Sequence, residues 1–175
     1  EMGSMKIGIL GSGTVAQTLA AGFIKHGHSV TLGTRDSGKL KEFLSHNKDA
    51  KVDSVANTAK FGELLVLTVK GSAAAQVLAA AGDANLAGKT IIDTTNPIAE
   101  TPPTNGVLKF TTTLDRSLME ELQDKVPSAH FVKAFNSVGA GAMVNPAYAG
   151  GKPSMFIAGN NDAAKKKVAE ILDQF

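Results

Sequence analysis

Gly11, Gly13 and Ala16 in "GILGSGTVA" stand in the spacing G-x-G-x-x-A, directly after an apolar run and directly before a helical pattern. Residues of this kind at this spacing can hold a pyrophosphate. Gly11 permits a tight turn, Gly13 leaves the backbone open to a close anion, and Ala16 is small enough for the helix to lie on the strand. The phosphates would then meet the free amides and positive dipole end of that helix. Glycines also occur in turns that bind nothing, so the context matters: a strand ends at Leu10, a helix opens by Thr14, and a second strand follows.

The second strand, "SVTLG", carries Thr34 at its tip, followed by Arg35. Dinucleotide folds that use NAD hold the ribose hydroxyls with an acid at this tip. Asp36 satisfies the loose count of about twenty residues but falls two positions past the tip, where it is expected to begin the next helix. A hydroxyl and a guanidinium suit a 2′-phosphate instead. Arg35 offers a bidentate fork to the phosphate and a flat face to adenine, while Ser37 and Lys39 add a donor and a second charge. The alternative for Arg35 is a surface arginine in a turn; with no carboxylate at Thr34, NADP is favoured over NAD.

The elements that must position these residues follow from periodicity. Apolar runs at Met5–Leu10, Ser29–Gly33, Leu64–Val69, Thr90–Thr95, His130–Phe135 and Ser154–Ala158 read as strands. Helical patterns fill 14–27, 38–46, 54–61, 72–82, 117–126 and 162–175. Val15, Leu19 and Phe23 share one row of the first helix, with Ala16, Ala20 and Ile24 beside it. His26 and Gly27 close it, and Ser117 with Glu120 forms a capping box for the helix at 117–126. Strand–helix alternation, with "LLVLTV" apolar throughout, predicts an α/β chain: a Rossmann-type, doubly wound, mainly parallel sheet with helices on both faces. Residues 96–115, rich in Pro and Thr, form the one long irregular stretch, a length that usually signals function or mobility.

Composition narrows the classes. With 43% hydrophobic and 19% charged residues in 175, the chain suits a single globular domain, assigned to residues 5–175. Glu1–Ser4 read as a vector-derived remnant, and from Met5 the first strand begins at once, as in a cytoplasmic enzyme without a leader. A net charge of +2 offers nothing to nucleic acid, and the lack of cysteine removes disulfides, thiolate metal sites and thiol catalysis. No apolar run approaches the roughly twenty residues of a membrane span. The chain stops after a helix where another strand would follow, so its C-terminus is expected to be incomplete.

No catalytic dyad and no metal set appears. His26, His28, His46 and His130 are expected on the surface, without ligand spacing. Ser12 lacks a nucleophile elbow, and Lys165–Lys167 form a solvated helix face. Lys133 reads as an edge residue with its ammonium in water. Such a chain suits hydride transfer between two cofactors, where the protein sets distance and orientation; reducing a ketone or imine more often needs a general acid.

Taken together, "KIGILGSGTVAQTLAAGFIKHGHSVTLGTRD", "VLTVKG", "DTTNPI" and "FVKAFNSVGAGAM" resemble the F420-dependent NADP oxidoreductase family. They are also similar to the cytosolic oxidoreductase domain of the STEAP metalloreductases. The resemblance implies pyrophosphate and ribose contacts at Ser12, Gly13, Thr14 and Val15, and the 2′-phosphate at Thr34 and Arg35. It implies that Thr68, Val69 and Lys70 face the adenine or nicotinamide ribose; the alternative for Lys70 is a solvated loop lysine. Asn96 and Pro97 lie past a strand end, where the proline holds Asn96 extended with its amide outward; a turn-forming Asn-Pro pair is the alternative. Val138 and Ala140 are implied near the nicotinamide. Asn136, Ser137 and Gly139 fall to the side of a flat acceptor, coenzyme F420 or a flavin, with Gly139 and Gly141 admitting a ring close to the main chain. Members continue past this chain's end with segments that help form the acceptor site and a homodimer. Two other readings stay open at this stage: a non-catalytic NADP-binding redox sensor, and the N-terminal domain of a β-hydroxyacid dehydrogenase or imine reductase.

Overall fold

The computed structural model describes residues 3–175; of the remnant at the N-terminus, Glu1 and Met2 lie outside the described residues. Six strands, β1 (Lys6–Leu10), β2 (Ser29–Gly33), β3 (Lys51–Asp53), β4 (Leu64–Leu67), β5 (Thr90–Asp93) and β6 (His130–Lys133), form one sheet in the order β3-β2-β1-β4-β5-β6. All five pairings are parallel. The helices are α1 (Thr14–Lys25), α2 (Lys41–His46), α3 (Val55–Phe61), α4 (Ala74–Ala81), α5 (Asp83–Leu86), α6 (Leu118–Lys125) and α7 (Asp162–Gln174), so the fold is the expected Rossmann-type one.

Every residue of β4 is buried, as a central parallel strand covered on both faces must be. Alternate residues divide the core. Ile7, Ile9, Ile92 and Val132 face α1 and α7, meeting Leu19, Phe23, Val168 and Phe175. Leu65, Leu67, Ile91 and Phe131 face α4 and α6, meeting Leu78 and Leu122. Each such side chain contributes roughly 1.5–3 kcal/mol by leaving water. Helix α1 ends in a Schellman motif: Gly27 takes φ +86°, its N–H donates to the Ile24 carbonyl, and the His28 N–H donates to that of Phe23. The capping box at α6 is present in both directions, Ser117 with Glu120.

Several elements depart from the expectation. Strand β3 has only three residues and no periodicity of its own; it exists because β2 offers it an edge. The strand expected over Ser154–Ala158 reduces to a single antiparallel bridge between Lys133 and Ala158. The ladder cannot extend, because the chain past β6 turns away at Phe135, a non-glycine residue with φ +64°. Residues 96–115 are a ribbon rather than a structureless loop. Ile98 bridges Phe110 in antiparallel sense, and Asn105 and Gly106 (φ +51° and +78°) close a tight turn between Thr104 and Val107. His28 is buried, not on the surface: its Nδ1 accepts the Met5 N–H at 3.1 Å, so Nε2 donates to Gln174 Oε1 at 2.8 Å. Lys133 also departs from expectation, for its ammonium lies 2.8 Å from the fully buried carboxylate of Asp93 rather than in water.

Candidate cofactor site

The strand order reverses between β1 and β4, and at this switch point a groove opens beyond their C-terminal ends, where open parallel sheets bind ligands. Gly11 occupies φ +138°, its N–H donating to the Gly33 carbonyl at 3.0 Å. A methyl there would collide with Thr68 Oγ1, which donates to the Leu10 carbonyl at 2.9 Å. Gln17 Nε2 donates to the Ser12 carbonyl at 3.0 Å and fixes the loop from the helix side. Gly13 caps α1 in the extended region, and nothing lies within 4 Å of where its Cβ would be. The first turn of α1 carries no acidic side chain, so its amides and positive dipole end face the groove uncompensated.

The groove comprises two adjoining cavities. One of about 380 Å³ runs from Gly11–Gly13 past Thr34, Arg35 and Lys39 to Thr68–Lys70. The other, of about 460 Å³, shares Thr68, Val69 and Lys70 and continues to Val15, Thr94–Asn96 and Glu100. Among the described residues neither Arg35, Lys39 nor Lys70 has an ion-pair partner. Asp36 lines the same cavity, and its Oδ1 accepts the Gly38 N–H at 3.1 Å, capping the 3-10 turn Ser37–Leu40. Thr34 Oγ1 accepts the Asp36 N–H at 3.1 Å and lies 3.3 Å from Ser12 Oγ, which joins the strand tip to the glycine loop. The cradle therefore fits a dinucleotide carrying an extra phosphate: an open backbone for the pyrophosphate, and free cations at the β2 tip.

Asn96 and the β6 loop converge on the other end. Asn96 Nδ2 donates to the Asn136 carbonyl at 2.9 Å. A methyl on Gly71 would overlap the Asn96 carbonyl and lie 3.0 Å from Leu118 Cδ2, so glycine lets the β4 and β5 loops touch. Ser72 Oγ donates to Glu100 Oε1 at 2.6 Å, tying the ribbon across that end. Val138 lines a separate apolar cavity of about 470 Å³ with Phe135, Met143, Tyr148 and Phe175. Thr14, Pro97, Ser137, Gly139 and Ala140 line none of these cavities.

Sequence reasoning missed several wall residues. Val55 and Val77 line the first cavity, and Ile98 and Glu100 the second. Asp53, at the tip of β3, borders a further cavity of about 580 Å³ with Thr34 and Arg35. The Asn57 side chain and the Ser54 backbone N–H hold its carboxyl below the usual carboxylate value. Only the acidic end of a three-residue strand could have signalled it.

Residues 6–97 match the family model described as NADP oxidoreductase, coenzyme F420-dependent. The chain belongs to this family. It is similar to a structure from Arthrobacter sp. FB24 named as a candidate F420-dependent NADP-reductase, at 36% identity and TM-score 0.90, with 97% of this chain and 80% of that chain covered. Hypothetical protein SMa0349 from Sinorhizobium meliloti shares the fold at 22% identity and TM-score 0.81, covering 98% of this chain and 81% of that one. A reductive aminase from Aspergillus terreus shares it at 20% identity and TM-score 0.69, covering 97% and 53%. No curated protein matches the sequence. As a member of this family the protein is an NADP-dependent oxidoreductase. No helix among the described residues is long and apolar enough to cross a membrane, and no group of three His, Cys, Asp or Glu there could hold a metal ion.

Proposed function

We propose that this oxidoreductase transfers a hydride between NADP(H) and a flat deazaflavin acceptor, coenzyme F420, with a flavin as the related alternative. One observation carries the cofactor half: among the described residues Arg35 and Lys39 have no ion-pair partner at the tip of β2, where Thr34 stands in place of a carboxylate and Asp36 Oδ1 is engaged with the Gly38 N–H. Thr34, Arg35 and Lys39 hold the 2′-phosphate. The amides of Ser12, Gly13, Thr14 and Val15 take the pyrophosphate and ribose, where Gly11 shapes the turn. Thr68, Val69 and Lys70 lie at the junction of the two cavities and receive the ribose of the nicotinamide half. The family resemblance further assigns Asn96, Pro97, Val138 and Ala140 to the nicotinamide and Asn136, Ser137 and Gly139 to the acceptor; of these Asn96 lines the groove, and Val138 lines the separate apolar cavity. The family's name supports the acceptor half. Bound NADPH supplies the hydride; the chain binds, aligns and excludes water, a role that needs no acid or base on the protein. The same reading assigns a homodimer.

The test is NADPH oxidation followed by absorbance with coenzyme F420, FMN and FAD offered separately, beside calorimetric titration of Arg35→Ala. A charged hydrogen bond is worth about 1.5–3 kcal/mol, so Arg35→Ala is expected to weaken NADPH binding roughly 10- to 100-fold and to leave NADH nearly unchanged. Equal loss for both nucleotides would remove the 2′-phosphate assignment. Turnover with flavins and none with F420 would replace the acceptor.

A further inference from the structure

Beneath the Asn96 end of the groove lies a closed polar ring built across β5 and β6. Asp93 and Lys133 are register partners on β5 and β6. Lys133 Nζ donates to Asp93 Oδ2 at 2.8 Å and to the Thr95 carbonyl at 2.8 Å. The other oxygen, Asp93 Oδ1, accepts the Thr95 N–H at 2.9 Å and the Thr95 hydroxyl at 2.6 Å. Asp93 is fully buried and Thr95 nearly so. Thr95 is thus gripped at both its N–H and its carbonyl, and the next residue is Asn96, whose amide holds the Asn136 carbonyl.

A buried ion pair adds little net stability, because desolvating two charges offsets their attraction. Two well-packed aliphatic side chains at this register would hold β5 to β6 as firmly. What aliphatics could not do is fix the peptide leading into Asn96. The loop on the other side also needs holding, for Phe135 sits at φ +64° with its ring buried 6.1 Å from that of Phe175. A non-glycine residue in that region costs about 1–3 kcal/mol and persists only where its surroundings over-determine it.

We propose that Asp93 and Lys133 are positioning residues: by clamping Thr95 they set Asn96, and through its bond to Asn136 they set the spacing between the two loops that flank the nicotinamide and its acceptor. This rests on reading the Asn96 end of the groove as the nicotinamide end. Asp93 and Lys133 line neither cavity of the groove and act on alignment through Thr95, to which hydride transfer is sensitive: displacements of about 1 Å can cost about 100-fold.

The test compares parent, Lys133→Arg and the double variant Asp93→Asn/Lys133→Met, which removes both charges so that no carboxylate is stranded in the core. Three quantities are read on the folded protein: the Kd for NADPH, the fluorescence of the bound nicotinamide, and kcat and KM with coenzyme F420. The double variant is expected to bind NADPH within about 3-fold of the parent, since Arg35 and the glycine loop are untouched. It is expected to lose kcat by about 10- to 100-fold and to alter the nicotinamide fluorescence; Lys133→Arg restores most of both. A double variant with a lower Tm but unchanged kcat, KM and fluorescence would make the ring merely structural and overturn the proposal. If the double variant does not fold, Thr95→Val decides, because it is close to isosteric and removes only the hydroxyl bond to Asp93 Oδ1: a parental kcat and spectrum overturn the proposal, and loss of kcat with an altered spectrum at a parental Kd for NADPH supports it. If the parent reduces no F420, the acceptor assignment fails separately. The ring is then judged on the nicotinamide fluorescence alone, where identical spectra for parent and double variant count against it.

Discussion

Gly13→Ala and Gly11→Ala should separate binding from folding within a single loop. At Gly13 the backbone stands at φ −81°, ψ −167°, which alanine adopts freely, and a methyl would meet no atom within 4 Å. Alanine is a poorer N-cap than glycine, at a cost of up to about 1 kcal/mol, while the stiffer unfolded chain returns roughly 0.4–1 kcal/mol. The net change should stay within about 0.5 kcal/mol, or a Tm shift of about 2 °C or less for a domain of this size. The methyl nevertheless occupies the open face where a pyrophosphate reaches the amides of α1. Losing one charge-assisted hydrogen bond there costs about 1.5–3 kcal/mol, so Kd for NADPH should rise roughly 10- to 100-fold. Gly11→Ala behaves in the opposite way. Its φ of +138° is closed to alanine, and the methyl strikes Thr68 Oγ1, which is held by its bond to Leu10. Strain of about 1–3 kcal/mol and a comparable packing penalty should lower Tm by about 5 °C or more. Thermal unfolding and calorimetric titration of both variants make the comparison. A Gly13→Ala protein that binds NADPH as tightly as the parent would refute the placement of the pyrophosphate, and one as unstable as Gly11→Ala would refute the reading of that position as open.

Other outcomes follow from single contacts. Gly71→Ala should push the β5 loop away through the Asn96 carbonyl, lowering Tm and raising Kd for NADPH together; unchanged values of both would show that the loops are not in contact as described. Among the described residues Thr58 Oγ1 is buried without a hydrogen-bond partner, so Thr58→Val should stabilise the protein by about 1 kcal/mol, read as a higher urea midpoint; a lower midpoint would mean that the added methyl bulk outweighs the relieved hydroxyl. Glu120 has its carboxyl held below the ordinary value of 4.5, first by the Ser117 backbone N–H and then by the Ser117 hydroxyl. A lowered folded-state pKa contributes stability above the unfolded value and loses it as pH falls through the folded one. Glu120→Gln should therefore be less stable than the parent at neutral pH, with the gap closing below the ordinary carboxylate range; a gap independent of pH would remove the capping carboxylate as its cause.

The parts legible in the residues alone were those whose physics is local. A glycine at positive φ, a helix row repeating at the α-period, a Schellman glycine at Gly27 and a capping box at Ser117 each depend on a few neighbouring residues. The central strand β4 announced itself because burial on both faces leaves no room for a polar residue. The absence of an acid at Thr34, with Arg35 beside it, is likewise a fact of chain order, and by itself it favours NADP over NAD. Contacts between distant residues were not legible. Strand β3 is too short for a period, and 154–158 has a strand's composition but no edge to extend. The lysine in "FVKAFN" read as solvent-facing because nothing near it in sequence is acidic; its partner Asp93 lies forty residues earlier and meets it only because β5 and β6 are adjacent in register. The same holds for Gly71 against Asn96 and for Asn96 against Asn136. Composition and spacing determined which elements form and which ligand they suit; only packing decided which loops meet, because a side chain's long-range partner is chosen by the sheet's order and not by its neighbours along the chain.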